Sequence, residues 1–472
     1  MQKVSSCRAR HAFLARCAAL IPGALLAAHA LGAAAAPTEA PGFSYIKSLG
    51  GIDEYRLDAN GLQVLLMPDH SAPVVSFNVT YHVGSRNEVT GSTGSTHLLE
   101  HLMFKGSEHY NDAAGNSVKQ YLERVGGRYN ATTSLDRTNY YATVGRDALE
   151  GYVAIEADRM RNLWLHESDR QSEMTVVRNE FERGKNDPHS LLHEEVTAAA
   201  YEALPYHHST IGWRSDIENV PIEKLRAFYD TYYWPDNATV TVVGDIEPKA
   251  MLAMIGKYYG VYGKAPHPIP VVYTQEPEQS GPRRVIVKKP AELGSVAIAH
   301  KIPNGLHPDQ PAIAVLDSIL SAGKDSRLYR ALVDKGLALS ARARGGTFHD
   351  MSLHLLSANL APGTTQSQVE QALLEQIELI KTQGVSPAEV AQARQQYRAD
   401  RAYRLDGTDS VVGELNEWIA TGDWTQFVRF SDAVEKVTPA DVQRVAKLYL
   451  NEDQSTTGWF VPVAKGKSES TK

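Results

Sequence analysis

His97-Leu98-Leu99-Glu100-His101 is the stretch of this chain whose residue types and spacing can do chemistry. Two imidazoles four positions apart share one face of a helix, close enough to grip one ion, and Glu100 lies three positions from His97 on that side. Neutral imidazole nitrogens are good zinc ligands. With a third protein ligand and an open fourth position, zinc lowers the pKa of a water to about 7. The Glu100 carboxylate could then take that proton, so the chemistry implied is metal-assisted hydrolysis. A helix with two surface histidines and a glutamate is the plain alternative, and the surrounding sequence decides between them.

The positioning elements can be read from hydropathy patterns. Tyr55 to Pro68 alternates apolar and polar residues around Asn60-Gly61, and Val74 to Gly84 continues the alternation, which predicts paired strands. Leu98, Leu99, Leu102 and Met103 fall at helical spacing within Thr96 to Lys105, and Gly106 ends the helix. Pro266, Pro268, Pro270, Pro277 and Pro282 mark residues 263–282 as a linker. Across it, IENVPIEKLRAFYDTYYWPDNATV from Ile217 aligns with VEKVTPADVQRVAKLYLNEDQSTT from Val434 at a constant offset of 217, matching Val220 to Val437, Leu225 to Val442, Phe228 to Val445 and Tyr232 to Tyr449. The chain therefore reads as a duplication of two similar halves, an N-terminal domain at 43–262 and a C-terminal homologous domain at 283–465.

Composition bounds the setting. The 472 residues are 43% hydrophobic and 22% charged with a formal net charge of -7, a globular mixture that excludes disorder, collagen and coiled coil and argues against nucleic acid as a partner. Lys3, Arg8, Arg10 and Arg16 precede an Ala/Leu-rich run that ends in Ala33 to Ala36, so residues 1–36 read as a cleaved secretory signal peptide. A periplasmic or secreted protein is expected, without a membrane partner once the leader is removed. Cys7 and Cys17 both fall inside the leader, which leaves the mature chain without disulfides or a cysteine nucleophile.

STHLLEHLMFKGSEHY, followed by GGRYNATTSLDRTNYYATV from Gly126 and EMTVVRNEFERG from Glu173, resembles the inverzincin pattern of the pitrilysin/insulinase-type metallopeptidases, the family of insulin-degrading enzyme and the mitochondrial processing peptidase. The likeness spans nearly all of the mature chain. It implies an α+β fold of two homologous domains, each a largely antiparallel sheet covered on one face by helices. It also implies one zinc ion held by His97, His101 and Glu180, with Glu100 as general base and Glu173 orienting a ligating imidazole. Glu173, Val177 and Glu180 fall on one helical face, as those two roles require. Asn130, Ala131 and Thr132 resemble the edge strand beside which the family's peptide substrates lie extended. His109, His207 and His208 read as surface or loop residues.

One departure stands out. Where the family carries an Arg and a Tyr that stabilise the oxyanion, this chain has SRLYRALVDKGLALSA from Ser326, with Val333 and Leu339 in the two places. Arg327, Tyr329 and Arg330 are the nearby substitutes. The second half also lacks HxxEH, its counterpart being the apolar AIAVLDSILSAG from Ala312. The resemblance therefore implies a zinc endopeptidase subunit acting on peptides or unfolded segments, paired with a homologous subunit that lacks HxxEH and supplies Arg and Tyr. The competing reading is a non-proteolytic scaffold or peptide-binding protein of the same fold.

Overall fold

A computed structural model describes residues 38–464. The proposed leader and the last eight residues lie outside that range. The first sheet comprises β1 (Phe43–Leu49), β2 (Ile52–Leu57), β3 (Gln63–Pro68), β4 (Val74–Tyr81), β5 (Arg128–Thr133), β6 (Thr138–Gly145) and β7 (Ala238–Gly244). The second comprises β8 (Arg283–Pro290), β9 (Ser295–Ile302), β10 (Ala338–Gly345), β11 (Ser352–Leu360) and β12 (Ser455–Val463). Helices α1 (Ser95–Leu102), α2 (Val118–Val125), α3 (Leu149–Arg161), α4 (Glu167–Asn186), α5 (Pro188–Ala200), α6 (Arg214–Asn219), α7 (Ile222–Tyr232) and α8 (Pro248–Tyr259) accompany the first sheet in sequence. Helices α9 (Gln310–Ser321), α10 (Gln366–Gln383), α11 (Pro387–Arg404), α12 (Thr408–Thr421), α13 (Gln426–Lys436) and α14 (Pro439–Tyr449) accompany the second.

The first sheet runs β1-β2-β3-β7-β4-β6-β5 and the second β10-β11-β9-β12-β8. Each has one parallel pair, β3 with β7 and β8 with β12, and is otherwise antiparallel. Matching β3, β4, β5, β6 and β7 to β8, β9, β10, β11 and β12 superimposes strand order and direction, with the β1–β2 hairpin as the first sheet's addition. The internal repeat read from sequence falls on equivalent elements: α7 and α14 both start and end 217 positions apart, and β7 and β12 start at that same offset.

Alternation along β4 sorts the first sheet's faces. Val75, Phe77, Val79 and Tyr81 point into the core with Tyr140, Ala142, Val240 and Val242, under α3. Ser76, Asn78 and Thr80 are buried on the opposite face, where α12 lies across β4, β6 and β7. The exchange is mutual. Helix α5 lies on β8, β9 and β12, where Leu192 and Val196 pack against Ala297, Ala299 and Phe460. A Cβ at Gly458 of β12 would collide with Val196, so the approach of that helix requires glycine. Each half thus closes one face of its sheet with its own helices and has the other closed by the opposite half. The Pro-rich segment 263–282 contains no helix or strand, but it is pinned by Glu276, whose carboxylate accepts backbone N–H groups of Glu202, Ala203 and Leu204 and the ammonium of Lys301.

Candidate metal centre

Helix α1 is anchored by Leu98, Leu99 and Leu102, all fully buried. Its N-terminus is closed by Glu88, whose two oxygens accept the N–H groups of Gly94 at 2.8 Å and Thr96 at 2.7 Å, so a carboxylate satisfies donors the helix leaves unpaired. The helix ends at Leu102 rather than continuing to Lys105. The apolar anchors turn His97 and His101 toward the side where α4 packs. On α4, Val177 is fully buried and serves as the pivot, which directs Glu173 and Glu180 to α1.

His97 Nε2 lies 3.6 Å and His101 Nε2 3.7 Å from Glu180 Oε2, and one donor atom from each residue falls within 4.8 Å of the others. Tetrahedral zinc with bonds near 2.1 Å holds its ligand atoms about 3.4 Å apart, so the trio needs only a small inward adjustment to fit that ion. Burial and the neighbouring His101 push the His97 pKa down to about 4, keeping the imidazole neutral as a ligand must be. His101 Nδ1 lies 3.0 Å from Glu173 Oε2, and Lys105 Nζ lies 2.5 Å from the other oxygen. Burial alone would raise the Glu173 pKa, but these two partners hold it below the ordinary carboxylate value. The Nδ1 of His97 has no partner and is buried, so only His101 is oriented by a carboxylate.

Glu100 is turned from the trio toward the end strand β5 and accepts the Thr133 hydroxyl at 2.5 Å. Burial raises its pKa, against the lowering effect of that hydrogen bond. Asn130, Ala131 and Thr132 lie on β5, which pairs with β6 alone and forms the sheet's edge beside α1. Asn130 is exposed and Ala131 buried. The Thr132 carbonyl and hydroxyl are both taken by Arg137.

The sequence reading missed Thr133 and Arg137 as partners of this site, although both stand in the quoted motif. His208 lies in a loop but is buried there, only 4% exposed with its Nδ1 3.8 Å from Glu88, while His109 is largely exposed. Of the three possible stand-ins for the missing oxyanion donors, the two arginines pair with other residues. Arg327 is bound to Glu389 and the Gly384 carbonyl, and Arg330 to Asp325. Val333 ends the turn Tyr329–Val333, and Leu339 lies exposed on β10.

Residues 63–213 match the family model described as insulinase (peptidase family M16), and residues 219–397 match the one described as the peptidase M16 inactive domain. The zinc protease PqqE of Helicobacter pylori is 32% identical over 408 residues, covering 85% of this chain and 91% of that protein. A probable mitochondrial-processing peptidase subunit beta of Arabidopsis thaliana is 23% identical over 415 residues, 86% of this chain and 77% of that one. The crystal structure of a protease from Helicobacter pylori shares the fold with a TM-score of 0.82 at 31% identity, over 89% of this chain and 99% of that one.

Proposed function

Because the chain belongs to peptidase family M16, we propose that it is a zinc-dependent endopeptidase subunit that cleaves peptides or unfolded segments in the periplasm or outside the cell. The observation that carries this reading is the convergence of two imidazole nitrogens from α1 and one carboxylate from α4 within 4.8 Å, with Glu173 beside His101. Held by His97, His101 and Glu180, zinc would supply Lewis acidity to the scissile carbonyl and to the attacking water.

The chain's own residues do the rest. Glu173 fixes the ring of His101 and so the direction of its Nε2. Glu100 accepts a proton from the attacking water and returns it to the leaving amine, and its raised pKa suits both directions. The free edge of β5 offers backbone groups to an extended peptide, which explains a preference for unfolded chains over any one sequence. The oxyanion contacts are assigned to a homologous partner subunit, since neither Val333 nor Leu339 can donate and the nearby arginines are engaged. That one relative is named a processing peptidase subunit supports the assignment.

Purified chain, assayed for bound metal and for chelator-sensitive cleavage of an unstructured peptide, separates this reading from a scaffold. Glu100→Gln should retain zinc and lose about 10²–10⁴ in kcat. His97→Ala should lose both metal and turnover. Normal cleavage by Glu100→Gln would reject the assigned base. Full activity in the isolated chain would reject the partner, because losing one oxyanion donor alone costs about 10²–10³ in kcat.

A further inference from the structure

Two adjacent side chains of α12, in the half that carries no metal motif, end in the hydrogen-bond network of the β5 edge strand. Asn416 Oδ1 accepts the Thr80 hydroxyl at 2.5 Å, which in turn accepts from Asn78 Nδ2 at 2.8 Å, and Asn78 Oδ1 accepts from Asn139 Nδ2 at 2.7 Å. Asn139 Oδ1 accepts the Thr132 hydroxyl at 2.6 Å and Arg137 Nη1 at 2.8 Å. The same Nη1 reaches the Thr132 carbonyl at 3.2 Å, and the other side of the guanidinium binds Glu417, Nε at 3.1 Å with Nη2 on the same oxygen. One residue along the strand, Thr133 holds Glu100.

We infer that Glu417 and Asn416 are positioning residues for the peptidase site, acting through Arg137 and Asn139 to fix the substrate strand and, through Thr133, the general base. The inference rests on the peptidase reading for its functional meaning. The side chain of Arg137 is 9% exposed and that of Glu417 56%. An ion pair with one partner so open to water adds little to global stability. Its geometric effect is larger, because the planar guanidinium donates to Thr132, Asn139 and Glu417 at once and Glu417 sets its tilt. Without Glu417 the fork loses its acceptor on one side, and the cationic head turns outward, releasing the Thr132 carbonyl. The second half therefore acts on the metal-bearing half directly.

The test is amide hydrogen exchange on the full chain, with metal content and peptide kinetics measured on the same samples. Glu417→Ala should speed exchange across residues 128–133 by about ten- to hundredfold, the range of one charge-assisted hydrogen bond, and leave exchange in α3 unchanged. Zinc content should be retained while KM for the peptide rises. Glu417→Gln keeps an acceptor oxygen and should recover most of the protection. Arg137→Lys keeps the charge without the fork and should loosen the strand like Glu417→Ala. Unchanged exchange across 128–133 in both Glu417→Ala and Arg137→Lys overturns the inference whatever the kinetics. Absence of zinc-dependent cleavage in the wild type would instead overturn the peptidase reading, and the exchange comparison would still decide whether α12 holds the strand.

Discussion

Glu173 and His97 mark the two unequal sides of the proposed centre. A carboxylate on the far nitrogen of an imidazole fixes its ring and raises its basicity, and His101 has one while His97 does not. Glu173→Gln should therefore weaken zinc binding about 10–100-fold by competition with a chelating dye, with the fold intact. His300 makes a separate prediction far along the chain. It is 1% exposed, and burial, reinforced by His354 and Lys381, pushes its pKa down to about 3. In the unfolded chain an imidazole takes up a proton near pH 6.5, so unfolding binds a proton between pH 6.5 and 3. The stability this residue contributes is full above pH 6.5 and falls by at most about 1.4 kcal/mol per pH unit as pH drops toward 3. His300→Gln should flatten that slope in urea titrations at pH 7 and pH 5. The grouping of His97, Glu100 and His101 was legible in the sequence because i, i+3 and i+4 neighbours are fixed by helical geometry alone. Glu180 came from family likeness, and Glu417 was invisible, since nothing local couples it to Arg137 across 280 residues.

At the scale of elements, α1 depends on its entry. Gly94 precedes it with φ at 83°, and a Cβ there would strike the Ile211 carbonyl. Gly94→Ala meets both a left-handed backbone and a collision, and should lower unfolding free energy by roughly 1–3 kcal/mol, read as a shifted urea midpoint, with reduced zinc occupancy because His97 and His101 ride on the same helix. The β2–β3 hairpin and the α7–β7 and α14–β12 repeat were readable because each is a short-range pattern. The exchange of α5 and α12 between the sheets was not. Apolar periodicity in Leu191, Leu192 and Val196 says that a face is buried, but carries no information about which sheet buries it.

The described residues, 38–464, form one compact unit. Beyond the exchanged helices, Trp424 donates to the buried Glu54 carboxylate at 2.8 Å across the halves, and Arg86 binds Asp350 at 2.9 Å. Tyr206 donates to Asp136 at 2.5 Å and accepts the Asp350 N–H at 3.2 Å, joining the turn after β5 to the turn after β10. Calorimetry should accordingly show a single cooperative transition for both halves, and two resolved transitions would contradict this coupling. The crossed helices also order events at synthesis. The helix at 408–421 that roofs the polar side of the first sheet leaves the ribosome long after that sheet's last strand, Ala238–Gly244. Until then the nascent chain holds Asn78 and Thr80 open to water and its edge strand unsupported, so the N-terminal half stays immature until almost the whole polypeptide has emerged.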